Sequence, residues 1–282
     1  MVRTDEQRSC AMPETEKKDD PFANPKPRPV DPNFDPFNPP EPTPEEKKFW
    51  AILKEIACDR PAYFVGEEDD PMEIRLTFFK ADPIQHKGKR TLKLEDLRAL
   101  PKLRNVTLLG IADEIDVTDD WLPIFAEFKN LKALDVGIEL PYDEENLKLL
   151  KIDSKGKRPE ITSQGIKALV QLPLRWADFG KCVKLDDEAM KTIGGWKKLR
   201  RLRLNEIPLT DHGVFALRGC RDLRELEIGG RETRISSASL RTIVDYFPRL
   251  EHLTLHHIAL SEEDYELLER KLPKCVVSVS DD

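Results

Sequence analysis

The sequence predicts an α/β solenoid, a single array of strand–turn–helix coils, and three observations carry that reading. An LxxLxL spacing, seen in Leu199/Leu202/Leu204, recurs as Leu103/Val106/Leu108, Leu131/Leu134/Val136, Leu174/Ala177/Phe179, Leu223/Leu226/Ile228 and Leu250/Leu253/Leu255. The first residues of these frames lie about 24 to 28 apart, with one gap of 43 residues from Leu131 to Leu174, which is the period of a stacked repeat. Each frame is followed by a polar turn and an amphipathic stretch. Helices are wider than the strand spacing of about 4.8 Å, so such an array curves, with parallel strands on its concave face and helices on its convex face.

Residues 1–45 hold half of the 22 prolines and few aliphatic residues, too little apolar surface to offset the entropy of ordering, so a disordered Pro-rich tail is expected. Asp20-Pro21-Phe22 and Asp35-Pro36-Phe37 repeat a short word within it. These words resemble peptides that dock on endocytic adaptor domains, beside the plainer reading of a tether. Residues 46–73 are expected to form an N-terminal cap: Phe49, Ile52, Leu53 and Ile56 fall at helical spacing, and Tyr63 to Val65 with Ile74 to Phe78 suggest a hairpin turning at Gly66 to Pro71. Residues 74–282 are the solenoid, with Ile74 to Phe79 as its first strand.

The helices have readable starts. Thr118-Asp119-Asp120, Thr162-Ser163-Gln164, Thr210-Asp211-His212, Ser236-Ser237 and Ser261-Glu262-Glu263-Asp264 set a hydroxyl or an acid where it can accept from free backbone amides. Val214/Ala216/Leu217, Leu240/Ile243/Val244 and Tyr265/Leu267/Leu268 then supply buried stripes. Inside the long gap, residues 141–160 form either an inserted helix with a basic loop (Lys155 to Arg158) or an extra short repeat. Cys275 to Ser280 reads as a closing edge strand, flanked by Lys274 and by Asp281-Asp282, charges that discourage edge pairing.

Composition excludes several classes. A net charge of -7, with basic and acidic residues interleaved, argues against a nucleic-acid surface. No apolar run approaches the roughly 18 residues of a membrane span, so a soluble cytoplasmic protein is expected. Five scattered cysteines without CxxC pairs argue for free thiols rather than zinc or disulfides.

Leu209-Thr210-Asp211-His212-Gly213-Val214, Val117-Thr118-Asp119-Asp120-Trp121-Leu122 and Ile161-Thr162-Ser163-Gln164-Gly165-Ile166 repeat one word after the strand frame. With those motifs, residues 74 to 280 resemble the leucine-rich repeat family, and within it the ribonuclease-inhibitor-like and cysteine-containing subtypes. The resemblance implies a solenoid that recognises protein on its concave face. Ala177 in place of a leucine, and the long insertion, depart from the pattern.

Alternation along each strand points residues three, five and seven of every frame to the concave face. Column three then runs Arg75, Asn105, Ala133, Trp176, Arg201, Glu225, His252; column five Thr77, Thr107, Asp135, Asp178, Arg203, Glu227, Thr254; column seven Phe79, Leu109, Gly137, Gly180, Asn205, Gly229, His256. Trp176, Asp178, Arg201, Arg203, Asn205, Glu225, Glu227, His252 and His256 are the candidate partner-binding residues. One reading is cross-strand support worth roughly 0.2 to 1 kcal/mol per pair. The other is a charged patch anchored by an exposed Trp176. The glycines of column seven leave room for a partner's approach, or reflect turn geometry.

His252, His256 and His257 do not suggest a metal, since four residues of strand span about 13 Å while two ligands of one zinc each lie about 2 Å from it. Asp119/Asp120, Asp186/Asp187 and Glu262/Glu263 are explained as helix-start acids. The sequence therefore predicts a monomeric, non-enzymatic scaffold for an unidentified protein partner, with no cofactor, metal, nucleic acid or membrane. The alternatives are a substrate-selecting adaptor of a larger complex such as a ubiquitin ligase, although residues 45 to 60 do not resemble an F-box; binding through the Asp-Pro-Phe words; and an enzyme using Asp143 or Glu144 in the insertion.

Overall fold

The structure, a computed structural model, describes residues 44–58, 62–64, 73–78, 88–98, 106–112, 115–138 and 158–280. The expected tail, the hairpin turn and the choice between helix and short repeat in the insertion lie outside these residues.

Among the described residues nine strands form one sheet in chain order: β1 (Ala62–Phe64), β2 (Glu73–Phe78), β3 (Val106–Ala112), β4 (Ala133–Ile138), β5 (Trp176–Asp178), β6 (Arg201–Asn205), β7 (Glu225–Gly229), β8 (His252–His256) and β9 (Val276–Ser280). β1 pairs antiparallel with β2, and every later neighbour is parallel. Among the described residues eight α-helices accompany them: α1 (Pro44–Glu55), α2 (Leu94–Arg98), α3 (Leu122–Phe125), α4 (Ser163–Ile166), α5 (Asp187–Ile193), α6 (Asp211–Ala216), α7 (Ser237–Tyr246) and α8 (Glu262–Lys271).

Each coil is built the same way because each frame presents the same groups. In β6, Leu202 and Leu204 are fully buried against the helices while Arg201, Arg203 and Asn205 stay partly exposed. The carbonyls of Lys132, Arg175, Arg200 and Arg224 each accept two consecutive amides from the start of the next coil's strand, fixing the register. Leucine columns from β2 to β8 merge with the buried stripes of the helices into one core that includes Phe78, Phe125, Phe179 and Phe247. Ile52 and Leu53 of α1, and Ile56 just after it, pack into this core.

Three expectations need correction. The frame of β3 is Val106/Leu109/Ile111, not Leu103/Val106/Leu108: Leu109 and Ile111 are fully buried beside Leu134 and Leu76, and Leu108 pairs with Ala133 and Arg75. A register shift between Ile74 and Arg75 accompanies it. A displacement by three residues is odd, so it exchanges the two faces of the strand. Leu109 thus leaves the open face, Leu108 and Gly110 enter it, and Asn105 falls outside the described residues. Thr118 makes no side-chain cap, whereas Thr162, Thr210, Ser236 and Ser261 do. Tyr265 is exposed; the buried side of α8 is Asp264 and Leu268.

The acid at the first position of a helix reaches the following coil rather than capping its own helix. Asp119 accepts the backbone N–H (2.8 Å) and hydroxyl (2.6 Å) of Thr162 in the following coil. Asp187 does the same for Thr210 at 2.9 and 2.5 Å, and Asp211 for Ser236 at 2.8 and 2.7 Å. The glycine of the repeated word follows from this ladder. A Cβ at Gly165 would lie 2.1 Å from Asp119 Oδ1, and one at Gly213 2.3 Å from Asp187 Oδ1. In the next coil Ser239 takes the glycine's place, and its hydroxyl donates to Asp211.

Candidate functional site

The sheet face opposite the helices is set by the parallel register. Trp176, Arg201, Glu225 and His252 stand abreast on β5 to β8, as do Asp178, Arg203, Glu227 and Thr254 one row on. Asn205, Gly229 and His256 form the third row. All nine residues nominated from the sequence lie on this one face, and strand pairing brings them together.

They divide into two environments. Over β3 to β5 the face is closed: Leu108, Ala133 and Trp176 form a small apolar cluster, each 2–3% exposed. The expectation of an exposed Trp176 is therefore corrected. Ala133 beside it leaves space for a large ring, Leu108 lines the far side once the β3 frame is right, and the Arg201 guanidinium lies 5.5 Å from the ring centroid. Trp176 has a packing duty and cannot serve as an exposed anchor.

From β6 to β8 the face is accessible and carries a charge lattice. Arg201 engages Glu225 through both Nε and Nη2. Arg203 sits between two carboxylates, with Nε 2.9 Å from Glu227 Oε2 and Nη1 3.5 Å from Asp178 Oδ2. Glu227 also accepts from Asn205 Nδ2 and lies 3.0 Å from His256 Nε2. The Asn205 Oδ1 is buried and accepts no hydrogen bond from the described residues. Arg203 is the most accessible of the charged group, at 43% of its side chain, against 9% for Asp178.

Burial pushes the Asp178 carboxyl up to about 6, and the charge of Glu227 adds to the rise; the Gly180 amide and Arg203 act in the opposite sense without cancelling it. At Arg203 burial works to lower the pKa, and the charges of Glu227 and Asp178 outweigh it, so the guanidinium stays charged. Two arginines face three carboxylates on β5 to β7, a lattice with one negative charge in excess when Asp178 is ionised. Such a surface holds its carboxylate acceptors and its charge in a preformed geometry.

The glycine of column seven on β7 serves the backbone. Gly229 has φ of +136°, and a Cβ there would meet the His256 carbonyl at 2.1 Å, so it admits the neighbouring strand rather than a partner. Among the described residues no cluster of three metal-ligating side chains occurs, and no helix is long and apolar enough to cross a membrane. Cys182 and Cys220 are buried free thiols whose pKa burial raises, to about 12 for Cys220. The feature that sequence reasoning missed is the aspartate ladder; its signal was the glycine three residues after Thr162 and Thr210.

No family model matches the chain, and no curated protein matches it. Among solved structures it is similar to one described as the crystal structure of the Rad7 and Elc1 complex in yeast, at 14% identity over 68% of this chain and 67% of that one, with a TM-score of 0.37.

Proposed function

We propose that this chain is a leucine-rich-repeat scaffold of the ribonuclease-inhibitor-like type, capped by α1, that binds a protein partner without catalysing a reaction. The observation that carries the reading is the change along one sheet face: apolar and closed over β3 to β5, charged and accessible over β6 to β8. The partner would seat on Arg201, Arg203, Asn205, Glu225, Glu227, His252 and His256, with Trp176 and Asp178 supporting the lattice from beneath. Lattice arginines are held by local acids before any ligand arrives, so little side-chain entropy is lost on binding. Free, buried thiols fit a reducing compartment such as the cytoplasm.

The test compares three baits in affinity capture from native lysate: the full chain, the chain with Arg203→Ala and Glu225→Ala, and the chain with Arg249→Ala and Asp222→Ala, an exposed pair away from the face. All three must show the same melting temperature. A partner held by the first and third and weakened about tenfold or more with the second supports the reading. A partner held equally by all three rejects this face as the binding site.

A further inference from the structure

We propose that the edge where the chain enters strands β4 to β8 is a second binding surface, and that it takes an acidic segment of a protein, a run of aspartate or glutamate. Basic and acidic residues interleave along the sequence, but they do so with the period of the coil, so winding separates them. The entry segments 129–132, 173–175, 197–200, 221–224 and 248–251 hold nine lysines and arginines and two acids. The segments 116–120, 160–164, 184–188, 208–212, 234–238 and 260–264, where helices start on the opposite edge, hold eleven acids and two lysines or arginines. A net charge of -7 therefore conceals one basic edge and one acidic edge.

At the centre of the entry edge the basic residues stand in a row. The Arg175 amide donates to the Lys132 carbonyl, the Arg200 amide to Arg175 and the Arg224 amide to Arg200, each at 2.7 Å. The four thus lie abreast over three strand spacings, about 14 Å. Backbone geometry does not require a base there, because Glu251 holds the next place and its carbonyl accepts from Val276 in the same manner. Helix dipoles favour bases in the last turn of a helix and do not account for a row at strand starts. Like charges opposite one another destabilise a sheet, and an anion laid along the row converts that repulsion into attraction. Arg175, Lys197, Lys198 and Arg221 are exposed and carry no ion pair among the described residues, while Arg224 has Glu251 at 3.3 Å.

What accompanies the charge selects the occupant. The entry segments contain no aromatic residue on which bases would stack, and a nucleic acid longer than the row would run on over a chain of net charge -7. Their leucines are buried, so they offer a bilayer nothing to insert. An extended peptide advances about 3.3 Å per residue, so a run of about four to six acids spans the row, and arginine forks engage carboxylates two bonds at a time.

Fluorescence anisotropy of a labelled hexaglutamate peptide titrated with the full chain, at about 50 mM salt where surface charges are weakly screened, tests this surface, with a labelled thymidine hexanucleotide as the second probe. Wild type is expected to bind hexaglutamate, and to bind it more tightly than the hexanucleotide. Arg175→Glu with Lys198→Glu is expected to weaken the peptide about tenfold. Lys167→Glu with Arg231→Glu, an equal change of charge at exposed positions off this edge, is expected to leave the affinity within about twofold. A wild type that does not bind hexaglutamate overturns the proposal. Equal losses in the two double variants overturn it too, since net charge alone would then explain binding, and a hexanucleotide bound as tightly as the peptide overturns the choice of a protein partner. Arg175→Gln alone, expected to weaken the peptide about threefold, decides the matter if the double reversal fails to fold.

Discussion

Trp176 and Asp178 sit two residues apart on β5, and different neighbours give them different duties. Trp176 fills the space that Ala133 leaves, so Trp176→Ala is expected to lower unfolding stability by about 3–5 kcal/mol, measured by urea denaturation, whereas an exposed anchor would cost little. Asp178 is a carboxyl whose folded pKa stands near 6, above the value near 3.8 of an unperturbed aspartate. The folded state therefore holds the proton more tightly, and stability rises as pH falls from above 6 towards 4. Asp178→Asn removes this contribution. Urea unfolding between pH 7 and pH 4.5 should show the wild type gaining stability relative to the variant; parallel pH profiles would show that Asp178 titrates normally.

The element that defines a coil is the contact from one helix start to the next. Asp187, Thr210 and Gly213 form one step of it, and Gly213→Ala is expected to cost about 1–3 kcal/mol because the new methyl strikes Asp187. Asp187→Ala should itself destabilise, by loss of two hydrogen bonds to Thr210. The double variant should then cost less than the sum, since the clash needs both residues; strict additivity in the cycle would contradict the ladder. Strands β5 to β8 were legible in sequence because their frames, starting at Leu174, Leu199, Leu223 and Leu250, succeed one another at 24 to 27 residues. β3 offers two, Leu103/Val106/Leu108 and Val106/Leu109/Ile111, and pairing with β2 and β4 breaks the tie. Spacing carried a hint, since Val106 to Leu131 is 25 residues, as is Leu174 to Leu199, while Leu103 to Leu131 is 28. The error spread to Trp176, whose burial depends on Leu108 facing it. Ladder acids were read as local caps because contacts to the next coil leave no mark on a helix start.

At the scale of the whole molecule, one sheet carries a continuous core on its helix side and two surfaces on the other. The solenoid was legible because its period repeats; the division of the open face was not, because exposure is set by several strands together. No partner's identity is written in a frame of leucines, and the chemistry of β6 to β8 specifies only the kind of contact made there. The most direct measurement of that contact is site-specific photo-crosslinking in native lysate, with the reactive side chain placed at His252 on the charged face or at the exposed Tyr265 on α8. The account predicts a discrete crosslinked partner from position 252 and none from position 265. A partner crosslinked from 265 and absent from 252 would contradict it, and would place recognition on the helices.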